Sequence, residues 1–326
     1  MSEGYDSDHF YLTDVSPKDK PWDTHKAQSG RVCSLYKGTF YDKFAGRIGN
    51  CSGLLQFGWL GDALTGEAKL KLVAARFCRV RHCPVCQWRR SLMWQARFKK
   101  AAPSIDRDYP TARYLLLTLT VQNCPPGELR QTLTWMNESW KRLTHRKQFP
   151  AIGFARSTEV TRSKDGSVHP HFHALLMVES RYFSGRNYLS QADWVALWQS
   201  CLQVNYAPVV DIRACKPRRR SPAGELAADA PRSGLLAALP EVFKYTTKPE
   251  DLFGAGNECD RDWLVVLTGQ LHKTRAVALG GIFRQYLSEN EPEDLIGGEE
   301  TEDEFNDLYL TFGWREMIER YVKVKT

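Results

Sequence analysis

The residues best suited to chemistry are His169-Pro170-His171-Phe172-His173, which run into Ala174-Leu175-Leu176-Met177-Val178. An apolar run of this length, with Phe and Val, predicts a buried strand. Alternate side chains on a strand share a face, so the three histidines point the same way. Neighbours in that row lie about 6.6 Å apart and the outer pair about 13 Å. Two adjacent imidazoles can therefore converge on one ion, and all three cannot. His171 and His173 are favoured, because they sit closest to the apolar strand that would hold them rigid.

A third ligand is expected from the β-prone stretch Ser157-Thr158-Glu159-Val160-Thr161. It reaches the histidines through a loop containing Asp165-Gly166, a strong hairpin signal. A two-residue loop would set Glu159 opposite Phe172, on the wrong face. A three-residue loop, Lys164-Asp165-Gly166 with Gly166 left-handed, sets it opposite His171. Two imidazoles and a carboxylate leave open positions on a divalent ion, suited to polarising a phosphoryl or carbonyl oxygen.

A second constellation is Cys78-Arg79-Val80-Arg81-His82-Cys83-Pro84-Val85-Cys86. Cys83 and Cys86 have zinc-knuckle spacing, and Cys78 lies nearby. Cys51 is the expected fourth ligand, with Cys33 or His82 as substitutes. A redox Cys-x-x-Cys pair is the rival, opposed by the further cysteines close by. From Arg76 to Lys100 there are eight Lys or Arg and no acid. The spacing predicts a basic helix over 87–101, so Arg79, Arg81, Arg89 and Arg90 are candidate DNA contacts. Arg218, Arg219 and Arg220 form another basic cluster, in a loop rich in Ala, Pro and Gly.

A helix is predicted from Pro240 to Pro249, with Pro240 at its first position. Glu241 and Tyr245 would then lie one turn apart on the same face, beside Lys244 and Lys248. Positive charge favours the phenolate, and a tyrosine can be a covalent nucleophile. On these residues alone, an ordinary interface tyrosine is the plainer reading.

The elements that must position these groups follow from periodicity. Tyr114–Val121 reads as a buried strand, 127–147 and 190–204 as helices, and Pro208–Arg213 as a further strand. Strand, helix, hairpin, helix, strand predicts an α+β domain, an antiparallel sheet with flanking helices, preceded by a small zinc-binding module. The expected division is a disordered arm at 1–30, the zinc module with its basic helix at 31–105, the α+β domain at 106–253, and a C-terminal helical region at 254–326.

The chain has 326 residues and a net charge of +7. Glu289–Asp307 holds ten acidic and no basic residues, so the remainder carries +17. A chain that basic seeks phosphate, most simply nucleic acid. The acidic run itself is expected to be solvated and disordered. No run of eighteen apolar residues would span a membrane, and residues 1–8 lack a signal-peptide pattern. Nine cysteines clustered with arginines favour a reducing cytoplasm and a metal site over disulfides.

Three segments occur in order: Leu117-Thr118-Leu119-Thr120, His169-Pro170-His171-Phe172-His173, and Glu241-Val242-Phe243-Lys244-Tyr245-Thr246-Thr247-Lys248. Together they resemble the three motifs of rolling-circle plasmid replication initiators, the Rep proteins of the HUH endonuclease superfamily. The single tyrosine with a glutamate four residues earlier is similar to the small-plasmid class. The resemblance implies the HUH fold and a site-specific nicking-closing endonuclease. It implies Mn²⁺ or Mg²⁺ on His171, His173 and Glu159, with Tyr245 attacking the scissile phosphate and Glu241 activating water at termination. It implies as partners a plasmid origin, presented as a hairpin or single-stranded nick site, and host replication proteins such as a helicase. A relaxase or transposase of the same superfamily is one alternative, and a non-catalytic zinc-containing DNA-binding regulator is another.

Overall fold

The computed structural model describes residues 10–61, 68–216, 234–244, 247–254, 256–296 and 305–324. In chain order the helices are α1 (Leu12–Val15), α2 (Pro21–Tyr36), α3 (Asp42–Gly49), α4 (Pro84–Asp108), α5 (Leu129–Thr144), α6 (Gln191–Leu202), α7 (Leu235–Val242), α8 (Asn257–Gln270) and α9 (Phe283–Tyr286). The strands are β1 (Leu54–Gly61), β2 (Ala68–Ala75), β3 (Arg113–Thr120), β4 (Ala151–Arg162), β5 (Val168–Val178), β6 (Val210–Ala214), β7 (Val277–Gly281), β8 (Phe305–Arg315) and β9 (Arg320–Lys323). The class is α+β with antiparallel strands, as expected, but there are two sheets, ordered β2-β1-β8-β9 and β6-β3-β5-β4-β7.

The chain divides into two interleaved units, 1–93 with 255–265 and 293–326, and 94–254 with 266–292. This replaces the contiguous division read from the sequence. The C-terminal stretch, expected to be helical, supplies β8 and β9 to the first unit's sheet, where β8 pairs with β1. Residues 10–30, expected to be a disordered arm, hold α1 and the start of α2. The reason is a buried stripe on α2, Trp22, Lys26, Ser29, Val32, Leu35 and Tyr36, whose polar members mask its helical spacing. Trp22 anchors the stripe edge-on against Trp88, with ring centroids 4.8 Å apart.

In the second unit β5 is the central strand. Its alternation gives the two faces of the sheet different work. On one face Phe172 meets Trp140 of α5, whose Leu129, Leu133, Met136 and Leu143 are buried at helical spacing. On the other face Leu175 and Met177 join Phe98 and Ile105 of α4, Leu235, Leu239 and Val242 of α7, and Phe243 in one apolar cluster. His171 and His173 share that second face, further back along β5. Each fully buried side chain of this cluster contributes about 1.5–3 kcal/mol. The same strand face thus passes from core to site within two residues.

Candidate active site and metal centre

The β4–β5 hairpin fixes the first site. Ser163 N–H donates to the Ser167 carbonyl across Lys164-Asp165-Gly166, and Gly166 has φ +81°. This is the three-residue loop with a left-handed glycine, and Glu159 accordingly stands opposite His171 in the register. Glu159 Oε2 lies 3.1 Å from His171 Nε2 and 2.7 Å from His173 Nε2. The rings are held from behind: His173 Nδ1 is 3.1 Å from Thr118 Oγ1 of β3, and His171 Nδ1 is 3.3 Å from the His169 carbonyl. Without an ion the two Nε2 atoms are placed to donate to Glu159; with a cation bound, the tautomer that donates Nδ1–H would turn both Nε2 lone pairs to the point that Glu159 faces. Thr118 is a positioning residue that sequence reasoning noted only as part of a motif.

Glu159 and His173 are buried, while His169 is half-buried and stays out of the convergent group. Burial pushes the Glu159 carboxyl up, but hydrogen bonds from His171 and His173 more than offset it and hold it well below the carboxylate range. Its Oε1 accepts no hydrogen bond, and Lys248 Nζ lies 3.4 Å away. Two imidazole nitrogens and a carboxylate oxygen converge within 4.8 Å, a donor set that fits a divalent cation with open positions.

The region of the expected nucleophile differs from the sequence reading. The helix begins at Leu235 and ends at Val242, with Pro240 inside it and Phe243 as its C-cap. Burial of Leu235, Ala238, Leu239 and Val242 starts the helix earlier than the proline signal does. Glu241 therefore sits in the last turn, ion-paired with Lys244, and no helix carries it on to position 245 as a shared face. Tyr245 itself lies outside the described residues, as do Arg218, Arg219 and Arg220. The flanks of Tyr245 are fixed to β4: Ser157 Oγ donates to the Val242 carbonyl, and Lys248 reaches Glu159.

The second site gathers Cys51, Cys78, Cys83 and Cys86, whose sulfurs lie within 4.8 Å of one another. Cys33 instead donates to the Ala45 carbonyl, and His82 is fully buried outside the cluster. Arg79 has φ +55°, a turn that aims successive amides at sulfur. Cys78 N–H is 3.4 Å from Cys51 Sγ and Arg79 N–H is 3.3 Å from Cys86 Sγ. Four thiols this close cannot all ionise by themselves. Bonding to Cys51 pushes Cys78 and Cys86 far up; Cys83 opposes burial with bonds from Cys51, Cys78 and Cys86 and is held low. A tetrahedral cation would relieve that conflict, and the Cys₄ set suits zinc. Lys26 was missed by the sequence reading. Its buried ammonium donates to the carbonyls of Gly49 (2.8 Å) and Cys51 (2.6 Å), a positive charge set beside the thiols. A lysine in the middle of the Trp22–Val32 stripe was the available signal.

Of the candidate DNA arginines, Arg89 and Arg90 are turned inward. Arg89 donates to the carbonyls of Leu295 (2.7 Å) and Ile296 (3.0 Å), and Arg90 pairs with Glu293 at 2.8 Å. Burial, with Arg90 nearby, lowers Arg81 to about 10. Arg79 is exposed, 3.9 Å from Glu293. In the second unit Arg97 pairs with Glu291 at 3.3 Å, and Glu289 accepts from Leu279 N–H at 2.6 Å. Over its described part, 289–296, the acidic run is held by these arginines while residues 290–294 stay exposed to solvent. The acid-free stretch 84–100 of α4 takes counter-charges from there.

A family model described as replication protein matches residues 69–322. The chain is 33% identical over 300 residues to Protein rep of Streptococcus pneumoniae serotype 2 (strain D39), covering 89% of this chain and 87% of that one. It is 32% identical over 340 residues to Protein rep of Bacillus amyloliquefaciens, covering 97% and 98%. It is 33% identical over 287 residues to Protein rep of Lactiplantibacillus plantarum, covering 86% of each. No solved structure matches the chain.

Proposed function

The chain belongs to the replication protein family and is a plasmid replication initiator, and from that premise we propose that it starts rolling-circle replication by nicking one strand of its origin. The observation that carries this reading is the convergence of Glu159, His171 and His173 on one point at the polar end of β5. A divalent ion, Mn²⁺ or Mg²⁺, held there would polarise a non-bridging oxygen of the scissile phosphate. The fold around it is read as an HUH domain, with the histidines on its central strand.

Tyr245 is the nucleophile in this reading. Its phenolic oxygen attacks phosphorus, a tyrosyl–phosphate bond forms, and the 3′ oxygen leaves and takes a proton. The products are a 5′-phosphotyrosyl link and a 3′-hydroxyl that primes synthesis. Support comes from the anchoring on either side: Val242, three residues before, is tied to Ser157, and Lys248, three residues after, reaches Glu159. Lys244 and Lys248 supply positive charge to the phosphate and favour the phenolate. Glu241 activates water for the terminating cleavage. The thiolate centre holds a structural zinc that stabilises the first unit. The partners are the origin, as a hairpin or single-stranded nick site, and host proteins such as a helicase, in the cytoplasm. Among the described residues no helix is long and apolar enough to cross a membrane.

The test is incubation of the protein with a labelled origin oligonucleotide and Mn²⁺. The expected product is a nicked strand with half of it covalently attached to protein. Binding without cleavage or adduct, under conditions where metal is bound, would refute the nuclease reading.

A further inference from the structure

Beside the thiolate centre the first unit carries a groove of about 470 Å³, lined by Lys43, Arg47, Arg76 and Arg79 with Asn50, Phe77 and backbone around Cys51 and Cys78. Among the described residues no carboxylate lines it. All four cations are exposed. Arg47 is fixed in place by donating to the Cys78 carbonyl, and Arg79 also faces Glu293 at 3.9 Å. The other face of α3 and the turn before it add aromatic rings. Arg47 lies 5.6 Å and Lys43 5.9 Å from the Phe44 centroid. Tyr41 stacks on Phe44 at 5.5 Å with rings 13° apart, and Phe40 stands edge-on to Tyr41 at 5.2 Å. Phe40 is 89% exposed, so most of its ring is open to a planar partner.

We infer that this groove and Phe40 form a binding site for single-stranded DNA, separate from the nicking site. The four cations track the phosphodiester backbone, and an unpaired base stacks on Phe40. A polycationic channel beside an exposed ring is the combination that binds single strands with little sequence preference. A duplex would satisfy the cations but keep its bases out of reach of the ring. The inference rests on the reading that this protein acts on origin DNA, and it gives the first unit a task there: holding the strand that melting or nicking sets free.

The test uses the full chain with its zinc, and a fluorescent oligothymidylate as probe. Lys43 and Arg76 are exposed and are not ligands of the thiolate centre, so Lys43→Ala/Arg76→Ala should keep the fold, checked by zinc content. Losing two phosphate contacts should lower the slope of log K against log salt by about 1.4, at about 0.7 per contact on single strands. Phe40→Ala should weaken binding about 5- to 100-fold with the slope unchanged. All variants should still nick a minimal origin oligonucleotide as the parent does. An unchanged salt slope in the double variant, with nicking intact, overturns the site and leaves the nuclease reading standing. Equal weakening of a blunt duplex by Phe40→Ala overturns the stacking role. Failure of the parent chain to nick at all overturns the nuclease reading instead.

Discussion

Replacing Glu159 by glutamine tests the centre of the argument. The substitution keeps the shape of the side chain and removes its charge. Oε2 stands 3.1 and 2.7 Å from the two Nε2 atoms, so an ion held by both imidazoles is within bonding reach of the carboxylate. Two unit charges about 4 Å apart are worth about 4 kcal/mol at an effective dielectric near 20. The ion is divalent and closer, which raises that figure, while a water taking the vacated position lowers it. A net loss of about 2.8 kcal/mol, or about 100-fold in Kd for Mn²⁺, is expected. Part of that loss comes from Lys248, 3.4 Å from Oε1, whose charge would face the ion uncompensated. Its side chain is 44% exposed, so this share is about 0.2–1 kcal/mol. Glu159→Gln/Lys248→Met should therefore bind Mn²⁺ up to about fivefold better than Glu159→Gln alone. Calorimetric titration of protein stripped of the divalent ion, with the thiolate zinc left in place, measures both. A Kd for Glu159→Gln within about threefold of the parent would show that Glu159 is not a ligand and that the hairpin register has no chemical role.

Four further outcomes are expected. Tyr245→Phe should abolish the covalent adduct, while Glu241→Ala leaves the first nick and slows terminating hydrolysis by about 10²–10⁴-fold; single-turnover cleavage with adduct and hydrolysed product counted separately decides it. Cys83→Ser should cost the bound zinc and the cooperative unfolding of the first unit, read by metal analysis and calorimetry, and full zinc in that variant would contradict the four-thiolate site. Glu291→Gln/Glu293→Gln should raise affinity for nonspecific DNA a few-fold at low salt, since each exposed pair is worth about 0.2–1 kcal/mol and salt screens it; equal affinities at low salt would mean the paired arginines do not meet DNA. In metal-free protein the depressed Glu159 pKa stabilises the fold above the unfolded value of 4.5 and that contribution fades as pH falls towards the depressed one. The difference in melting temperature between the parent and Glu159→Gln should therefore shrink below about pH 4.5, and a constant difference would argue against the pairing.

The parts of this molecule that were legible in its sequence are those set by local geometry. Alternation put His171 and His173 on one face, and Gly166 in a left-handed turn put Glu159 opposite His171. The Cys83–Cys86 spacing marked the thiolate centre. What stayed hidden depends on distant partners. Nothing near Phe305 announces that β8 will pair with β1, some 250 residues earlier, because strand pairing at that separation leaves no periodic trace. The acidic run is exposed at 290–294, as charge predicts, but its contacts with Arg89, Arg90 and Arg97 were not foreseen because charge alone was counted. Pro240 sits inside α7 because burial of its neighbours outweighs the local rule for proline. Lys26 was hidden for the opposite reason, a charge placed where the pattern calls for an apolar residue.

The sheet order β2-β1-β8-β9 also dictates a timetable. When β1 and β2 leave the ribosome they form a bare hairpin, too small to stand alone. Their remaining partner, β8, is translated only after the entire β3–β7 sheet. The sheet beside the cysteines at 51–86 therefore cannot close until most of the chain has been made. A chain that ends at residue 292 would contain every strand of the sheet that carries Glu159, His171 and His173 but lack β8 and β9 of the first unit's sheet. Such fragments should be soft targets for proteases at their N-terminal end, where β1 and β2 lack the strand that completes their sheet.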